Sequence, residues 1–93
     1  MLLVRRLIWD SWNIAHIARH DVIPEEVEEV CHGQPVTSQT YKGRLRVAGP
    51  TRSGRMLTVI LAPTEQLGVY YPLTARPADR KERRSYEQQR GMQ

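Results

Sequence analysis

One cysteine, Cys31, is all that the 93-residue chain contains. It can form no internal disulfide, and a lone thiol supplies neither a cysteine-pair zinc site nor a redox couple, so the sequence fits a reducing cytosol. Long apolar runs are also missing. The longest, residues 56–62, is interrupted by Thr58 and is strand-sized, well short of the roughly 18 residues that a spanning helix needs. No membrane partner is expected. Arg5 and Arg6 lie inside the first apolar stretch rather than ahead of it, and no small-residue cleavage site follows, which argues against a secretory leader. Repeats, low-complexity tracts and flexible linkers are absent. The length is below the roughly 100–200 residues of a usual domain, so one domain over residues 1–93 with one core is expected.

What the chain does have is charge in blocks. The net charge is +4 and the pI about 9.7. Asp21, Glu25, Glu26, Glu28 and Glu29 stand in residues 21–32 without a lysine or arginine, whereas Lys42, Arg44, Arg46, Arg52 and Arg55 stand in residues 42–55 without an acid. A second basic stretch, residues 76–90, carries Arg76, Arg80, Lys81, Arg83, Arg84 and Arg90 against three acids. If the fold joins the basic blocks, they form a phosphate-binding surface whose affinity falls steeply with salt. Otherwise they are a solvated charged surface.

The patterns predict the order β-α-α-β-β-β-β-α. Residues 2–8 read as a strand that Arg5 and Arg6 push towards a sheet edge. Asp10 reads as the N-cap of a helix over residues 11–20, with Trp12, Ala15, Ile17 and Ala18 as a loose apolar stripe and Asn13, His16 and His20 on the polar side. Pro24 opens a short acidic helix that buries Val27, Val30 and Cys31 and stops at Gly33. Strands follow at residues 36–41 and 44–48, where basic and apolar residues alternate and put Arg44 and Arg46 on one face. The apolar, β-branched residues 56–61 suit a central strand buried on both faces. A last strand is expected over residues 67–74, with Pro72 forcing an edge or a bulge, and a charged helix over residues 77–89.

Several chemistries are poorly served. His16 and His20 have the i,i+4 spacing by which two imidazoles share a zinc ion, but no glutamate follows His16 and His32 lies on another element, so no metal is expected. Cys31 sits on an apolar stripe, where a thiolate is disfavoured. The segment GPTRSG at residues 49–54 lacks the lysine of a phosphate loop. What remains is arginines on a sheet, imidazoles on a helix, and Arg76 where a strand hands over to a helix. RNA cleavage through its own 2′-hydroxyl needs a base, an acid and fixed cations. Histidine can supply the first two, and the planar, permanently charged guanidinium the third, with no metal or other cofactor. The bland alternative pairs Arg44, Arg55 and Arg76 with the acidic helix.

The run Trp9-Asp10 before a helix ending Arg19-His20, followed by Val22 and Pro24-Glu25-Glu26, resembles the opening of the BrnT family of toxins. Arg44 with Val47 and Gly49, Gly54-Arg55 opening an apolar strand, and Thr74-Ala75-Arg76 before a helix with Glu82, Arg83 and Tyr86 are similar to the family's later motifs, so the likeness covers residues 7–87. The chain departs from the family in its first helix, one residue short: Trp12 stands near the usual lysine, His16 at the usual asparagine, and Asp21 replaces the usual glycine. The resemblance implies a RelE-like α+β fold, a mainly antiparallel sheet with two N-terminal helices and one C-terminal helix. It implies an endoribonuclease toxin neutralised by a cognate antitoxin, with RNA as substrate; self-association is left open. Carried onto this chain, it points to Trp9, Arg55 and Arg76 as active-site members, with Arg44 and His20 beside them; His16 is the candidate to take over the acid-base role of the missing lysine, and Arg46 joins from its place on the face of Arg44. The expected catalytic residues are therefore Arg55, Arg76, His16 and His20, and the substrate-binding ones Trp9, Arg44 and Arg46. That reading requires Arg55 and Arg76 to converge, beside an imidazole, on one phosphodiester. The alternative is a non-catalytic basic module that docks an acidic protein or nucleic acid.

Overall fold

The computed structural model describes residues 4–91. Its elements follow the expected order: β1 (Arg6–Leu7), α1 (Ser11–Ala18), α2 (Pro24–His32), β2 (Val36–Gln39), a 3-10 turn (Tyr41–Gly43), β3 (Leu45–Pro50), β4 (Met56–Pro63), β5 (Val69–Pro77) and α3 (Arg80–Gly91). The fold is α+β. One five-stranded sheet has the order β1-β5-β4-β3-β2, with the β1–β5 pair parallel and the others antiparallel. Arg5 and Arg6 do mark an edge, although β1 keeps only two residues of the expected strand, and residues 2 and 3 of that expectation lie outside the described ones.

Strand register sorts the side chains. Partners across a ladder share a face, so Val36, Ala48, Thr58 and Arg76 form one row and Ser38, Arg46, Ile60 and Thr74 the next. The other face carries Leu45, Val47, Leu57, Val59, Leu61 and Ala75, all buried against Ile17, Val22, Val27 and Val30 of the α1–α2 layer. One core therefore lies between the sheet and the first two helices. The third helix, α3, packs across β2 and β3 on the opposite face and buries none of its residues.

Local chemistry sets the element ends. The Asp10 carboxylate accepts the Asn13 N–H at 2.9 Å and the Asn13 side-chain oxygen accepts the Asp10 N–H at 2.9 Å, a reciprocal cap on α1. Pro24 takes the first turn of α2, where its missing N–H costs nothing, and Glu26 accepts the Ile23 N–H. The last helix begins at Arg80 rather than near Pro77, because β5 runs on through Pro77 and Asp79 and Glu82 cap each other's N–H groups at 2.8 and 2.9 Å.

Two expectations about packing are corrected or sharpened. Of the expected apolar stripe on α1 only Ile17 is buried: Trp12, 56% exposed, Ala15 and Ala18 face outward, and Asn13, expected on the polar side, is fully buried instead. The amide of Asn13 donates to the Ile8 carbonyl at 2.9 Å and to the Pro72 carbonyl at 3.2 Å, so its polarity is spent inside the fold. Pro72 sits in β5, an interior strand, and the sheet accommodates it with a bulge: Ile60 pairs with Thr74 and Leu61 with Pro72, leaving Leu73 unmatched.

Candidate functional site

Arg55 follows Gly54, whose φ of 90° closes the turn after β3 at no steric cost. Its guanidinium reaches the junction of α1 and α2. Nη1 donates to both Glu26 carboxylate oxygens, at 3.0 and 3.1 Å, and to the Asp21 carbonyl at 2.6 Å, while Nη2 donates to the His20 carbonyl at 3.3 Å. Arg55 is thus a tie holding the acidic helix to the sheet. Asp21, whose carbonyl it binds, has φ 58°, the left-handed conformation that glycine adopts most readily.

Arg76 leaves β5 towards the other face. Its two terminal nitrogens meet the two oxygens of Glu82 at 2.7 Å each, a fork-to-fork pair joining the sheet to α3. This contact is the main reason that the Glu82 carboxyl lies below its usual range and that the Arg76 pKa is raised. Glu82 lines a cleft of about 370 Å³ between α3 and the sheet, together with Arg46, Thr58, Lys81 and Tyr86. The Thr58 hydroxyl is buried without a hydrogen bond of normal geometry, although its nearness to Glu82 adds to the lowering of that carboxyl. The side chains of Arg46 and Lys81 make no ion pair or hydrogen bond among the described residues.

The residues expected to make one centre divide between two sides. Arg46 and Arg76 stand on the α3 side. Arg55, His16 and His20 stand on the α1–α2 side, and it is the backbone of His20, not its ring, that touches Arg55. The convergence of Arg55 and Arg76 beside an imidazole, which the sequence reading required, is therefore absent. His16 stacks on Trp12 with ring centres 5.0 Å apart, and His20 meets His16 edge-on at 6.4 Å, along the outward side of α1. Trp9 packs half-buried against the core and its indole N–H donates to Glu28 at 2.9 Å, so it is committed to structure. Arg44 lies just before β3 with its guanidinium 5.6 Å from the Tyr41 ring centre.

Sequence reasoning passed over Glu82 and Thr58 as site residues. The Asp79-x-x-Glu82 spacing marks a capping pair and could have located Glu82 at a helix start; its approach to Arg76 depends on where α3 crosses the sheet. Among the described residues no group of three or more histidine, cysteine or acidic side chains is placed to hold a metal ion. No helix among them is long and apolar enough to cross a membrane. No protein-family model matches the chain, and no curated protein matches it.

Proposed function

We propose that this chain is an endoribonuclease toxin of the kind its sequence resembles, working without a metal, with its site in the cleft under α3 rather than around Arg55 and the histidines. The observation that carries this reading is the Arg76–Glu82 pair beside the unpaired Arg46 and Lys81. A phosphate presents the same pair of oxygens to Arg76 that Glu82 does. As an RNA phosphate takes the guanidinium, Glu82 loses the contact that depresses its pKa and becomes a stronger base. It then takes the 2′-hydroxyl proton. The 2′-oxygen bonds to phosphorus, the bond to the 5′-oxygen breaks, and Lys81, which lines the same cleft, gives its proton to that leaving oxygen. Arg46 and Arg76 stabilise the charge gained by the phosphorane. His16, His20 and Arg55 take no part. The implied partners are RNA and a cognate antitoxin, and the implied compartment is the cytoplasm.

The test is incubation of single-stranded RNA with the protein in excess chelator. Fragments ending in a 2′,3′-cyclic phosphate, formed at a rate reduced roughly 100-fold or more by Glu82→Gln, are the expected result. Uncut RNA, or equal cutting by Glu82→Gln, rejects the site. One observation favours the second reading, a binding module: Arg55 and Arg76 both already hold carboxylates. Salt-sensitive RNA binding without cleavage decides for it.

A further inference from the structure

We propose that the outer edge of β2 is a docking site for an extended acidic segment of a partner protein, which joins the sheet as a sixth strand. The hydrogen-bond phase gives the geometry. The Thr40 N–H donates to the Arg44 carbonyl at 2.8 Å, and antiparallel alternation from that bonded pair makes Ser38–Arg46 and Val36–Ala48 bonded pairs too. Thr37 and Gln39 consequently turn their N–H and C=O groups away from β3. No strand among the described residues lies there, since β2 ends the sheet.

Sheet edges are normally blunted by charge, proline, a bulge or brevity. The opposite edge follows that rule: β1 has two residues, with Arg6 in it and Arg5 just before it both exposed. Strand β2 does not. Its sequence, Val-Thr-Ser-Gln, has no charge and no proline, and its four-residue register is regular. Such an edge gives main-chain bonding, and its surroundings select the occupant.

Those surroundings are basic. Lys42, Arg44 and Arg46 border the strand, and residues 42–55 contain no acid. Two carboxylates line the cleft on that side with Arg46 and Lys81: Glu82, already held by Arg76, and Asp79, which accepts the Glu82 N–H at 2.8 Å. A strand beside β2 lies about 10 Å from β3, two strand spacings, a gap that an arginine and a glutamate side chain bridge together. A second copy of the chain would bring two such basic borders together, which disfavours it as the occupant. This inference does not depend on whether the cleft cuts RNA.

Fluorescence anisotropy with a labelled peptide of three Glu-Val repeats, against its Lys-Val counterpart, tests the proposal on the whole chain. The acidic peptide should bind at least roughly tenfold more tightly, with Arg46→Glu erasing the preference. Amide exchange at Thr37 and Gln39 should slow in the complex, whereas Ser38, already bonded, should not change. Thr37→Pro removes an outward N–H that the fold does not use, so its circular dichroism should match the parent while binding is lost. Equal binding of the two peptides, no binding of the acidic one at millimolar concentration, or unchanged exchange at Thr37 and Gln39 overturns the proposal. So does sedimentation showing a dimer that Thr37→Pro dissociates, which assigns the edge to a second copy.

Discussion

Arg76 and Glu82 meet fork to fork, with both nitrogen–oxygen distances 2.7 Å, and this pair joins the last strand to a helix that contributes nothing to the core. Because the pair is partly solvated, 42% and 19% exposed, its worth to stability is small, about 0–1 kcal/mol. Its worth to function lies in placing a guanidinium and a carboxylate in one cleft.

The sign of its pH dependence is fixed. Glu82 titrates lower in the folded chain than its ordinary value of 4.5, chiefly through Arg76, so its contribution is fully present above that value and disappears as pH falls through the folded value. The melting temperature of the parent should exceed that of Glu82→Gln at neutral pH, and the gap should close in acid below the ordinary value. A gap that widens in acid contradicts the pairing.

Asn13 is expected to be the most sensitive polar position. Asn13→Leu removes the acceptor of the Asp10 N–H, leaving only the Asn13 N–H to Asp10 half of the cap, and takes the donor from the Ile8 and Pro72 carbonyls, a loss on the order of 3 kcal/mol. Asn13→Asp can still accept from Asp10 but cannot donate to the two carbonyls, so it should not rescue. Urea midpoints measure both. At Trp12, exposed on the same helix, substitution by alanine should shift the midpoint far less.

Burial pushes the Cys31 thiol up to about 12, with Glu28 adding to the effect. Iodoacetamide at mildly alkaline pH should leave the native protein unlabelled and modify it only after denaturation, as read by mass spectrometry. Rapid native labelling would show that α2 detaches readily from the sheet.

Asp21 occupies a left-handed position, φ 58°, where the resembling family has glycine. Asp21→Gly relieves that conformation and should raise stability by up to about 1 kcal/mol, measured by thermal or urea unfolding. The Arg55 contact is made to the carbonyl of this residue and survives the change.

Much of this architecture is visible in the chain itself. Pro24 with the glutamates after it marks the start of α2, the unbroken apolar residues of β4 mark the sheet centre, and Arg5 and Arg6 mark an edge. Pro72 announces a bulge once its strand is known to be interior. The buried Asn13 is not legible, because a weak apolar stripe leaves the rotation of a short helix undetermined until β5 presents a carbonyl for it. The separation of Arg55 from Arg76 is not legible either. Each sits at the mouth of a strand, and which way it turns depends on register and on helices packed from both sides.

The most direct test of the functional account compares RNA cleavage by Arg76→Ala and Arg55→Ala in chelator, each first shown to be folded by circular dichroism. Arg76→Ala should lose roughly 100-fold or more in rate, while Arg55→Ala stays within a few-fold of the parent. Activity retained by Arg76→Ala and lost by Arg55→Ala would contradict the account and return the site to the other side of the sheet.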